Sequence, residues 1–217
     1  MEQRCTILRF KISGVCGVLT PIVAFACIAF SIVFAPEFSL VDNALSDLGV
    51  IPSFVAAIFN YGLIISGLLG LIFTMNLSKV INILELLSAF GKLTYMPNKG
   101  SGGALFFSLA CLALVAIGVF PENVEYLHFF ASVSFFMLLI IALLCIGMNL
   151  WRIKQKTLAM FTLVLGVVAA TPWLLLFVIR YVSGVAIPEL VAAIAGGLWA
   201  AAFGFKMLKI ASRVKAL

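Results

Sequence analysis

The chain has 217 residues, of which 65% are apolar and only 10% charged, with a net charge of +6. A soluble protein carries about 25% charged residues, and a mean hydropathy of +1.26 means more apolar side chain than so small a globule can hide from water. Lipid is therefore the solvent for most of the chain. That excludes a soluble enzyme, a nucleic-acid module, a secreted disulfide scaffold and a disordered protein.

The first apolar run covers 12–35. Arg4, Arg9 and Lys11 precede it, and Ala24-Phe25-Ala26 imitates a signal-peptidase site. At about 24 residues the run is longer than an ordinary signal core and suits a retained anchor helix. In 39–49, Asp42, Asn43, Ser46 and Asp47 recur at one face, with Leu40, Val41, Ala44, Leu45 and Leu48 at the other. That spacing predicts a short amphipathic helix with Ser39 as N-cap and Gly49 as terminator. It either lies on the headgroup layer or turns its polar face inward to roof a cavity. A second apolar span, 51–75, opens near Pro52. Residues 79–91, with Lys79, Asn82, Glu85 and Ser88 and a closing Gly91, read as an amphipathic helix attracted to anionic lipid. Further spans follow at 101–120, 126–150, 157–180 and 189–210. Each approaches or exceeds the roughly 20 residues a helix needs to cross. The segments lack the alternation of a membrane barrel. The expected fold is all-α: a single integral membrane domain over 1–217 with six transmembrane helices.

Basic residues fall on alternate connections. The N-terminus, the second connection (Lys79, Lys92, Lys99), the fourth (Arg152, Lys154, Lys156) and the C-terminus (Lys206, Lys209, Arg213, Lys215) hold thirteen of the fourteen. The other side holds Glu37, Asp42, Asp47, Glu122, Glu125 and Glu189, with Arg180 its one base. By the positive-inside rule both termini are cytoplasmic. Three connections on the acidic side contain Pro-Glu, at 36–37, 121–122 and 188–189. This is either a threefold hairpin repeat or local helix-start chemistry.

Small residues predict the helix seams. Ala192, Gly196, Ala200 and Gly204 recur every four residues in the sixth span, and Gly62, Ser66 and Gly70 mark the second. These stripes pack helices within the chain or join copies into a homo-oligomer. Pro21 and Pro172 fall inside spans and should kink or loosen them. No cysteine lies in an external loop, and C-x-x-C is absent, so neither a disulfide framework nor a structural zinc site is expected.

Candidate chemistry gathers on the acidic side. Glu122, Glu125, His128 and Ser132 lie along one face at the start of the fourth span. There an imidazole could exchange a proton, with Glu125 holding its tautomer, or simply pack as a structural histidine. Arg180 ends the fifth span. It either pairs with Asp47, Glu122, Glu189 or an anionic ligand, or serves as a helix-end cation that snorkels to headgroups. Asn60 is deep enough to need a hydrogen bond from a neighbouring helix, with a ligand as the alternative. The candidate binding set is Ser46, Asp47, Asn60, Glu125, His128 and Arg180, and Asp47 and His128 are the candidate catalytic pair. Nucleophile-elbow, zincin, P-loop and dinucleotide signatures do not occur, and no cofactor, metal or nucleic-acid partner is indicated.

Ser46-Asp47-Leu48-Gly49, Phe59-Asn60, and Phe120-Pro121 followed by His128 resemble the domain-of-unknown-function 998 family of prokaryotic membrane proteins. The resemblance follows span order over nearly the whole chain. It implies a six- or seven-helix bundle in an archaeal or bacterial cell membrane, and it transfers no catalytic residue. The leading expectation is non-enzymatic binding of a lipid, a small molecule or a membrane-protein partner. An enzyme acting on lipid headgroups at the outer leaflet is the alternative, and a transporter, which should carry charge within its spans, is third. The orientation is directly testable: a tag at either terminus should be unreachable from outside intact cells and become reachable on permeabilisation.

Overall fold

The computed structural model describes residues 2–88 and 101–215; Gly91, Lys92 and Lys99 lie outside them. Among the described residues there are seven α-helices: α1 (Glu2–Val33), α2 (Phe54–Thr74), α3 (Leu77–Ser88), α4 (Ser101–Val119), α5 (Glu125–Arg152), α6 (Lys156–Ile179) and α7 (Ala186–Lys215). Six of the helical stretches are long and apolar enough to cross a membrane. The chain is a multi-pass membrane protein. Helix is the expected solution in hydrocarbon, where each backbone N–H and C=O must be satisfied within the segment. α1 and α6 continue as α-helix through Pro21 and Pro172.

The helices close into a ring in the order α1, α2, α4, α5, α6, α7, with α7 returning to α1. Small residues set the closest approaches. A methyl group built on Gly204 would sit 2.6 Å from the Gly14 carbonyl oxygen, and one on Gly67 would sit 2.8 Å from that of Cys111. The α7 stripe is consumed by these internal seams: Gly196 meets Leu139, Gly204 meets Gly14, and Ala192 and Ala200 are buried. A second chain would have to use another face.

One end of the ring is filled. Phe73, Phe107, Trp199 and Phe203 form a chain of ring contacts with centroids 4.4–6.0 Å apart, and Trp199 Nε1 donates to Thr162 Oγ1 at 3.1 Å. α3 then folds back across this end. The sequence placed its apolar face in lipid, but Leu77, Val80, Ile81 and Leu84 are buried in the bundle, and Lys79 is exposed. The turn that directs it inward is held by Asn76 Nδ2, which donates to Ser13 Oγ at 2.8 Å, while that hydroxyl donates to the Ile72 carbonyl at 2.9 Å.

At the other end α5 and α6 part. Near their connection they touch closely, since a methyl on Gly147 would lie 2.6 Å from Leu163 Cγ and one on Gly166 3.0 Å from Leu144 Cδ2. Farther along, the bulky Phe136 and Trp173 stand between them, ring centroids 5.0 Å apart. Glycine at one end and aromatics at the other splay the pair. The seams predict a clean contrast: Gly204→Ala should destabilise the detergent-solubilised protein by about 1–3 kcal/mol through overpacking. Gly102→Ala, which meets nothing within 4 Å, should leave the melting temperature essentially unchanged.

Candidate functional site at the splayed end

The connection between α1 and α2 forms less helix than its hydrophobic pattern suggests. Residues 40–42 form a turn, Asn43 a bend, and only Leu45–Gly49 is helical, as a single 3₁₀ segment. Polar side chains compete with a longer helix for the backbone. Asn43 Oδ1 accepts from the Ser39 N–H at 2.9 Å, and its Nδ2 donates to Asp47 Oδ2 at 2.8 Å. The Asp47 carboxylate also accepts from the Ala44 N–H at 3.0 Å. Ser39, instead of capping a helix, donates with Ser183 to the Asp42 carboxylate, at 2.8 and 2.6 Å. These bonds, Ser183 first, hold the exposed Asp42 carboxyl below its ordinary pKa.

The far side of the connection is fastened to the α6–α7 turn. Val41 O accepts from the Gly184 N–H at 2.7 Å, and Asn43 O accepts from the Ala186 N–H at 2.9 Å. Gly184 is required there, because a Cβ would collide with the Asp42 and Asn43 backbone. Glu189, in the first turn of α7 and only 7% exposed, accepts the Leu45 N–H at 2.7 Å. Asn60 bonds this loop, not a neighbouring helix as expected, donating to the Gly49 carbonyl at 2.9 Å. The result buries Ser46 and Leu48 and turns part of the polar face inward.

Beneath this roof, between α5 and α6, lies a cavity of about 480 Å³. Its walls are apolar, with Phe129, Phe136, Met137, Ile140, Trp173 and Phe177. Its upper end carries Ser46, Glu122, Glu125, His128, Ser132 and Glu189. A smaller apolar cavity of about 100 Å³ inside the ring shares Ser46, Ser132, Phe136 and Glu189 with it.

Pro121 accounts for the histidine. Proline disfavours helix at the residue before it, α4 ends at Val119, and the Phe120 carbonyl faces His128 Nδ1 at 2.8 Å. A carbonyl can only accept, so Nδ1 carries a proton, and in the tautomer this fixes, Nε2 can accept from Ser132 Oγ, 3.2 Å away. The tautomer is thus held by Phe120. Glu125, expected to do so, is exposed at the cavity's rim.

Carboxylates crowd the upper end. Glu122 sits beside Asp47 and Ser46, and its Oε2 is buried with no hydrogen-bond partner. Burial, and after it the adjoining Asp47, raise its pKa from the ordinary 4.5 to about 7; Ser46 opposes this more weakly. Two carboxylates this close resist ionising together.

Ser46, Glu125 and His128 therefore line the cavity, whereas Asp47, Asn60 and Arg180 do not. Asp47 is committed to Asn43 and Ala44 and is no partner for His128. Arg180 is exposed and ends α6 in the left-handed conformation, φ 45°, its N–H bonded to Leu176 O. No ion pair joins it to the acids among the described residues. Glu122, Glu189, Ser132 and Trp173 enter the wall unselected by the binding set. The Pro-Glu pairs held the signal for two of them, but the three pairs are not equivalent. Glu37 is exposed in a turn, Glu122 precedes α5, and Glu189 lies inside the first turn of α7, so the three pairs occupy different positions and helix-start chemistry fits Glu189 alone.

Because Glu122 binds its proton more tightly when folded, its contribution to stability is full below pH 4.5 and is lost as pH rises through about 7. The melting temperature should fall across that window, and Glu122→Gln should flatten the decline. Infrared spectroscopy should show carboxylic-acid absorption titrating near pH 7 that the substitution reduces.

No curated protein and no solved structure matches the chain. A family model described as "Protein of unknown function (DUF998)" matches residues 18–206. The chain belongs to that family.

Proposed function

We propose that the protein binds an amphiphile, a lipid or lipid-like small molecule, in the cavity between α5 and α6. One observation carries this reading: a single cavity joins apolar walls to a cluster of polar groups at one end, as amphiphile sites require. From Glu125 to Ile140 the wall follows about 22 Å of helix, more than the ~15 Å half-thickness of a hydrocarbon core. The apolar part would lie against Phe136, Met137 and Phe177, its polar group near Ser46, Glu122, His128 and Glu189. With acids and no lysine or arginine in the wall, a neutral or cationic head that donates hydrogen bonds suits it. An anion held by Arg180 is correspondingly disfavoured, since Arg180 is not in the wall.

The positive-inside rule supports cytoplasmic termini, with the cavity at the outer leaflet; the family resemblance suggests the cell membrane. Transport has less support, since α3 and the aromatic cluster close the opposite end of the bundle. Native mass spectrometry of gently extracted protein should find a co-purifying amphiphile. Met137→Trp, which fills the cavity, should cut retention roughly tenfold, a loss of ~1.4 kcal/mol. Val178→Trp, on an exposed position of α6, should not. A protein that purifies empty, or equal retention in both variants, would refute the reading.

A further inference from the structure

Four hydroxyls on the spanning helices share one arrangement to set beside Ser132, whereas Ser13 and Ser31 donate to carbonyls of α2 and Ser66 Oγ is buried without a partner. Thr20, Ser108, Thr162 and Thr171 each donate to the carbonyl four residues earlier, at 2.7–3.0 Å, the usual fate of a helical hydroxyl. Ser132 has His128 at that position, yet its oxygen lies 3.2 Å from the ring Nε2. The ring is oriented for this by Phe120 O on Nδ1, and both side chains line the 480 Å³ cavity. A hydroxyl on an unprotonated imidazole nitrogen, with a third group fixing the tautomer, is the arrangement that activates a serine.

We infer that Ser132 and His128 form a nucleophile–base pair that hydrolyses a carboxylic ester of an amphiphile held in the cavity. This rests on the binding reading only in that the ester must enter there. Ser132 Oγ attacks the ester carbonyl carbon as its proton passes to His128 Nε2. The carbon–oxygen bond to the alcohol breaks, and the leaving oxygen takes that proton from Nε2. A water molecule then gives a proton to Nε2 and attacks the acyl carbon. The bond to Oγ breaks, Oγ recovers the proton, and a carboxylic acid is released. Trp173 lines the same cavity, and its Nε1 is a pure donor buried without a partner; a ring rotation that turned it toward Ser132 would let it donate to the oxyanion. Phe120 supplies a carbonyl dipole and not a full charge to balance the imidazolium, which favours slow turnover and makes covalent trapping the sensitive readout.

The test is to treat the full-length protein, in micelles and in vesicles, with a long-chain alkyl fluorophosphonate, whose fluoride Ser132 Oγ would displace. One adduct should form and map to Ser132. Labelling should vanish in Ser132→Ala and slow roughly a hundredfold in His128→Gln, with Ser134→Ala, exposed on the same helix, labelling as wild type. Mapping the wild-type adduct requires no variant to fold. Absence of an adduct on Ser132, or labelling that Ser132→Ala retains, would overturn the assignment. Amphiphile retention measured on the same Ser132→Ala protein reports the binding reading separately, because a serine without nucleophilic function can be lost while the cavity still fills.

Discussion

A polar group at membrane depth has no water to turn to, so it must find its partner within the chain. The bundle is arranged around meeting that requirement. Ser13, Ile72 and Asn76 form a relay that folds α3 against the ring. Trp199 can fill the centre because Thr162 accepts its N–H. The irregular connection between α1 and α2 can press into the bundle because Asn43, Asp47, Asn60 and Glu189 take up its backbone groups. Each such bond contributes little on its own, ~1 kcal/mol or less; leaving its partner bare would cost more.

The same requirement makes the candidate site. Carboxylates are efficient acceptors for the exposed N–H groups of a tight connection, and using several brings like charges together. Asp47 and Glu189 satisfy the loop, and Glu122 is drawn into their neighbourhood, where it holds a proton up to about pH 7. The cavity opens beside this cluster because Phe136 and Trp173 keep α5 and α6 from closing. Glu189 is therefore both a brace for the roof and part of the wall. His128 is likewise both anchored and available: Phe120 holds one ring nitrogen and Ser132 meets the other.

Much of this could be read from residues close in sequence. Pro121 before His128, Gly49 near Asn60, and the run of Ser46 to Gly49 all stood out, and the structure makes each of them part of one end of the bundle. The misreadings share a cause. Asp47 and Arg180 were paired with distant groups on charge alone, whereas Asp47 is spent on atoms three and four residues away. Glu189 looked like an ordinary first-turn acid, and its partner, Leu45, lies 144 positions earlier. Residues 79–91 showed an apolar face, but amphipathicity does not say whether lipid or protein covers it.

From the amino-acid order alone come the six apolar crossings, their approximate limits, the segregation of basic and acidic ends, and the small-residue seams. These depend on how a local window of side chains partitions between lipid and water, and that energy is additive along the chain. The tertiary structure decided which acids meet, which nitrogen of His128 is free, and where space remains. Those depend on distances between helices, which a methyl at Gly147 or a ring at Trp173 alters by ångströms, and no local window carries that information.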